Sequence, residues 1–174
     1  LWYAEQIAAE STEETRPIYL HNARDWMGEG HHCYRLEEEK DVYGITEKLL
    51  EQGKRVYLHV GYSDKTEERR ISRIVRCFQE IFPNKKILGT DSRSAPRELR
   101  ANANEYIDWL IKKNGGLDLL ICSPWSKIGW DYNGAHQFDA TVGSYPWAFM
   151  TAPDIAQQMR RPRQTKLHYV WIGR

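Results

Sequence analysis

The sequence predicts an α/β domain built on a mostly parallel β-sheet with helices on both faces. Strand-like apolar runs alternate with helical periodicity from residue 41 onward. Strands joined by helices make right-handed crossovers, which cover a parallel sheet on both sides. The run Leu117, Leu119, Leu120, Ile121 has the length and composition of a buried strand. Polar loops follow several such runs, at the strand carboxyl ends where open α/β sheets collect their ligands.

The bulk properties narrow the class. A chain of 174 residues suits one domain with a sizeable core and is short for two. With 41% hydrophobic and 28% charged residues it has a globular composition, which excludes a low-complexity chain. The net charge of +1 means that any nucleic-acid affinity must arise from local clusters. Cys33, Cys77 and Cys122 are far apart and odd in number, which argues against a disulfide framework and for a reducing compartment. No signal peptide and no apolar run near ~18 residues is present, so a soluble, intracellular protein without a membrane partner is expected. The first residue is Leu1, which reads as the start of a domain excised from a longer chain.

Taken in order, residues 1–40 read as a linker and a small N-terminal extension. They contain two short strand-like runs, Ile18 to Leu20 and His32 to Leu36. From Asp41 the period becomes helical, with Val42, Ile45, Leu49 and Leu50 on one face and Gly53 as the stop. Arg55 to Val60 is a strand. Ser63-Asp64 then caps a long helix whose buried stripe is Ile71, Ile74, Val75 and Phe78, ended by Phe82-Pro83-Asn84. Lys86 to Gly89 is a short strand and Thr90 to Ser94 a polar loop. A helix from about Pro96 to Lys112 follows, with Tyr106, Ile107 and Leu110 on its core side and Gly115-Gly116 closing it. After the Leu117–Ile121 strand, Cys122-Ser123-Pro124 is a turn. Phe138 to Val142 is a further strand, Asp154 to Arg161 a short helix, and Leu167 to Ile172 the last strand.

The chemistry concentrates in two places. Ser123 is followed by Gly129 six residues on and Asp131 eight residues on. A hydroxyl and backbone N–H groups at a strand end hold phosphate, a glycine admits close approach, and a carboxylate accepts from a ribose or orients an arginine. A turn at Ser123-Pro124 with Asp131 as a cap explains the same residues. Arg160, Arg161 and Arg163 end the helix from Asp154, and Pro162 keeps it from continuing. Guanidinium forks suit phosphate charge. The helix dipole by itself favours one arginine at such an end and accounts less well for three. Ser63, Thr90 and Arg93 also follow strands, so with Ser123 they line a candidate backbone-binding track; each alone serves equally as a cap or turn. Trp125 and Trp130 stack on bases or pack in the core. His31-His32-Cys33 lacks a second ligand pair, so no zinc site is expected. The phosphate loop G-x-x-x-x-G-K-[ST] is absent, and so is an apolar strand ending in Asp-Glu. The chain alone does not supply a nucleotide cradle or a magnesium site.

At these residues the chain resembles the second RecA-like domain of a superfamily 2 helicase. Leu119 to Asp131 (LLICSPWSKIGWD) resembles motif V of that family, T-x-x-x-x-x-G-x-D, with Ser123 in place of the threonine. Gln157 to Arg163 (QQMRRPR) resembles motif VI, Q-x-x-G-R-x-R, with Arg160 at the glycine position. The shorter spacing is similar to herpesvirus-type replication-origin-binding helicases and related viral or plasmid replication proteins. The strand from Arg55 with Ser63 after it corresponds to motif IV, and the resemblance covers residues 41–174.

By position, the resemblance implies that Arg161 and Arg163 act as arginine fingers on ATP, with Gln157 sensing the nucleotide. Gly129 and Asp131 couple the nucleotide cleft to the nucleic-acid track. Ser123, Ser63, Thr90, Arg93 and Trp125 contact nucleic acid, single-stranded or duplex, with DNA the favoured form. ATP and Mg2+ are held mainly by a first RecA-like domain outside this chain, so the chain alone is expected to be an inactive half of the motor. A cytoplasmic location, or a nuclear one for a protein of a eukaryotic virus, goes with that reading. Two other functions fit the same residues: a non-enzymatic RecA-like module binding nucleic acid or protein, and an unrelated doubly wound enzyme binding a nucleotide or metabolite.

Overall fold

In the computed structural model the described residues are 31–61, 67–90, 103–123, 132, 134, 136–146 and 151–173. Six strands and four helices lie among them: β1 (His32–Arg35), α1 (Glu39–Glu51), β2 (Val56–Val60), α2 (Glu67–Ile81), β3 (Ile87–Thr90), α3 (Ala103–Asn114), β4 (Leu119–Cys122), β5 (Ala140–Tyr145), α4 (Ala152–Met159) and β6 (Leu167–Ile172). The strands form one sheet in the order β1-β6-β5-β2-β4-β3, and every pairing is parallel. The predicted fold class holds, and all strand carboxyl ends share one edge.

The strand period of two sends neighbouring residues to opposite faces. Val56, Leu58 and Val60 of β2 join Leu119, Ile121, Ala140 and Val142 under helices α1 and α2, which contribute Val42, Leu49, Leu50, Ile71, Ile74 and Phe78. Tyr57, Leu120 and Cys122 face the other way, onto Ile107 of α3. Further along that face, Ile155 and Met159 of α4 cover Tyr145 and Val170. Each such large apolar side chain contributes about 1.5–3 kcal/mol by leaving water. Burial also silences Cys122, whose thiol is pushed up to about 12. Thiol reagents are therefore expected to modify the exposed Cys77 in the native protein and Cys122 only in denaturant, as peptide mass spectrometry would check.

The helix ends follow from short-range chemistry. The Asp41 carboxylate accepts from the Glu38 N–H (2.9 Å) at the start of α1. Gly53, at φ 73°, supplies the left-handed residue that lets Lys54 N–H return to the Leu49 carbonyl. At α4, Thr151 and Asp154 cap each other reciprocally: the Thr151 hydroxyl accepts from Asp154 N–H (3.4 Å), and Asp154 accepts from Thr151 N–H (3.1 Å).

Several boundaries differ from the sequence reading. Thr90 ends β3 and Cys122 ends β4 instead of opening loops, because each continues the parallel ladder opposite the other. The fifth strand is Ala140–Tyr145, not Phe138 to Val142. Phe138 is apolar because it packs edge-on to Tyr57 (5.8 Å between ring centroids), ahead of the ladder. Gly143 and Ser144 lie inside the strand: Ser144 is buried and donates to Glu39 (3.2 Å). A side chain at position 143 would stand 2.4 Å from the Tyr145 ring and 2.6 Å from Met159 Sδ, so the strand keeps glycine there. Helix α4 starts at Ala152 and ends at Met159, which leaves Arg160 as its cap and Arg161 beyond it. The strand inside the N-terminal stretch, β1, is an edge strand of the main sheet, paired with β6. Ile18 to Leu20, and Pro96 at the expected start of α3, lie outside the described residues. Among the described residues no helix is long and apolar enough to cross a membrane.

Candidate functional site

At the carboxyl edge the parallel register sets Thr90 of β3 opposite Cys122 of β4, and the Ser123 N–H donates to the Thr90 carbonyl (3.2 Å). Two of the expected nucleic-acid contacts are thus neighbours. Thr90 is held from below: its hydroxyl hydrogen-bonds to the Tyr106 hydroxyl of α3 (3.3 Å). Both Thr90 and Ser123 are fully buried, so neither hydroxyl faces solvent in this state. Ser63, Arg93, Trp125, Gly129 and Asp131 lie outside the described residues.

The arginines are divided by burial. Gln157 and Arg163 are exposed, whereas Arg161 is 1% exposed and is the bulkiest fully buried side chain among the described residues. The α4 helix ends one residue before Arg160, its cap, and the Arg161 side chain just beyond it is buried. Its charge lies close enough to Tyr145 to counter in part the effect of burial, which raises that phenol well above its usual range. The Tyr145 ring, at the carboxyl end of β5, stacks on His59 of β2 (5.1 Å, 24°). His59 is itself fully buried. The arginine expected to meet a nucleotide thus belongs to a buried polar layer with Tyr145 and His59.

The turn that carries the arginines is clasped to the segment just after Asp131. Tyr132 N–H donates to the Arg161 carbonyl (2.7 Å), and Arg163 N–H donates to the Tyr132 carbonyl (3.1 Å). Tyr132 and Pro162 form a parallel bridge outside the main sheet. The residue that follows the Leu119–Asp131 segment therefore meets the arginine turn through the backbone. Sequence reasoning missed Tyr132, Tyr145, His59 and Asp108. Tyr132 carries the one signal that pointed to it, its place beside the Gly129-x-Asp131 pattern. The others look like ordinary strand or helix residues.

The fold defines this as a RecA-like α/β domain. No protein-family model matches the sequence, and no curated protein matches it. Among solved structures it is similar to the Mycobacterium smegmatis helicase Lhr, bound to ssDNA and AMP-PNP. The identity is 14% over 82% of this chain and 19% of that one, with a TM-score of 0.51. A Pyrococcus furiosus Hef helicase domain matches at 13% identity over 78% of this chain and 26% of that one, with a TM-score of 0.43. The chain spans about a fifth of the length of the Lhr chain, 19%.

Proposed function

We propose that the chain is the second motor domain of an ATP-dependent nucleic-acid helicase or translocase. The observation that supports this best is the clasp between the Arg161–Arg163 turn and Tyr132, the residue that follows the Leu119–Asp131 segment. In this reading Arg161 and Arg163 stabilise charge on ATP held, with Mg2+, by a first RecA-like domain. Gln157 senses that nucleotide, and Gly129 and Asp131 link it to the track. Ser123, Thr90, Ser63, Arg93 and Trp125 form the track at the carboxyl edge. Nucleotide-driven closure of the two domains then steps the protein along a strand. The ligands of the Lhr structure, ssDNA and AMP-PNP, are of the classes expected here. The Gln157-x-x-x-Arg161-x-Arg163 spacing supports a finer placement beside viral and plasmid replication helicases, working on DNA in the cytoplasm or nucleus.

The reading requires Arg161 and the Ser123 and Thr90 hydroxyls to leave their buried positions when the domains close. The 1% exposure of Arg161 favours a second reading, a RecA-like binding module whose motor role is lost. Anisotropy of a labelled single-stranded oligonucleotide, read from about 50 to 200 mM salt, tests the track. Weak binding that falls with salt, drops several-fold in Ser123→Ala and barely changes in Arg163→Ala is expected. Absence of binding at low salt, with circular dichroism intact, would remove the track and with it the motor reading.

A further inference from the structure

We propose that Asp108 of α3, acting through Tyr132, is a positioning residue for the arginine turn, so that one helix sets where Arg161 and Arg163 stand. The functional weight of this joint rests on the reading of that turn as nucleotide-facing; its geometry does not.

Tyr132 is fastened at both ends. Its backbone N–H donates to the Arg161 carbonyl, and its carbonyl accepts from the Arg163 N–H, on either side of Pro162. Pro162 has no N–H to give, so the pairing falls on the Arg161 carbonyl and the Arg163 N–H. A displacement of Tyr132 is therefore passed to both arginines at once. At the other end the Tyr132 hydroxyl donates to Asp108 Oδ1 (3.1 Å). The ring between these ends is buried, edge-on to Phe138 (6.1 Å, 64°). Gly134 closes over the joint: a Cβ there would stand 2.3 Å from the Tyr132 hydroxyl oxygen and 2.6 Å from Asp108 Oδ1. Only glycine leaves the hydrogen bond its room.

Helix α3 also reaches the other half of the candidate site. Tyr106, two positions before Asp108, carries the hydroxyl bonded to Thr90 beside Ser123. A single rigid element thus touches both the carboxyl-edge hydroxyls and the arginine turn, which is the physical contiguity that coupling between two sites needs.

Residue-resolved amide exchange on the chain tests the joint. Tyr132→Phe keeps the ring and removes the donor; Asp108→Ala removes the acceptor; Asp108→Asn keeps an acceptor oxygen. In the first two, exchange at the Tyr132 and Arg163 amides is expected to rise about tenfold, with Leu58 and Val142 amides unchanged. Asp108→Asn should rise less than Asp108→Ala. No rise, a rise by the same factor throughout the sheet, or equal effects of the two Asp108 variants would overturn the proposal. The measurement needs neither nucleotide nor nucleic acid. Its failure removes the joint and leaves the motor reading, whereas absent oligonucleotide binding with this exchange pattern intact removes the motor reading and keeps the joint.

Discussion

Arg161→Ala is expected to cost the fold about 3–5 kcal/mol in urea denaturation, and Arg163→Ala no more than about 0.5 kcal/mol. The difference follows from burial. Arg161 is 1% exposed, and its charge acts on Tyr145 at the carboxyl end of β5. Truncation leaves a cavity and removes a charge from groups arranged around it. Arg163 stands in solvent and leaves its backbone bond to Tyr132 in place when shortened. The transition midpoint should fall for Arg161→Ala with an unchanged denaturant slope. Equal, small costs for both variants would mean that the Arg161 side chain is not packed into the domain. The result bears on function as well, because lost activity in Arg161→Ala reports a chemical role only if the fold survives.

Acidification is expected to remove about 3 kcal/mol of stability through His168 alone, between its ordinary pKa of 6.5 and its folded value of about 4. Burial is the main cause, since His168 is 2% exposed on β6. The charges of His31, whose ring stacks on it at 5.8 Å, and of Arg160 act in the same direction. A backbone hydrogen bond with Thr165 opposes them. Nδ1 is engaged by the Thr141 hydroxyl at 2.6 Å. Because the folded pKa is the lower one, the unfolded chain binds more protons across this window. Stability is complete above pH 6.5 and is lost as pH falls to about 4. His136 is also lowered by burial and adds in the same sense. Urea titrations at a series of pH values should show the slope, flattened in His168→Gln by comparison with the unsubstituted chain. Parallel pH curves for the two proteins would refute the assignment to His168.

How much of this was readable in advance varies from element to element. Strand β6 was legible to the residue, because Leu167 to Ile172 is a mostly apolar, aromatic and β-branched run set between Lys166 and Gly173. The α2 stripe was legible because burial by one side of a helix imposes its period: Ile71, Ile74 and Phe78 all reach the core. Strand β5 was shifted, since Phe138 announces apolar burial without pairing, and Gly143 and Ser144 pair without looking apolar. The strand order was not legible at all, because pairing across the sheet leaves no local mark. Of the candidate site, the segments from Ser123 and from Gln157 stood out, and the structure joins the chain just after Asp131 to the Arg161–Arg163 turn. Hidden from the sequence was the direction of Arg161: an arginine after a helix reads as solvent-facing, and only the turn at the end of α4 sends it inward. Tyr132 and Asp108 were hidden for the same reason, as partners brought together from separate elements.

The sheet order carries a consequence for assembly. His32 of β1 pairs with Leu167 of β6, so the earliest described strand waits for the latest before it has a partner. Contacts between residues so far apart in the chain form slowly, because a long loop must close before any hydrogen bond repays it. Strands β2, β4 and β3 need no such wait: their partners lie within one or two crossovers and can gather as a nucleus while the chain is still being made. Docking of β5 and β6, with the arginine turn between α4 and β6, is expected next, and β1 is expected to seal the edge last. A chain cut before Leu167 would therefore lose β6 and, with it, the pairing partner of β1, so a loss at one end of the sequence also frees a strand at the other.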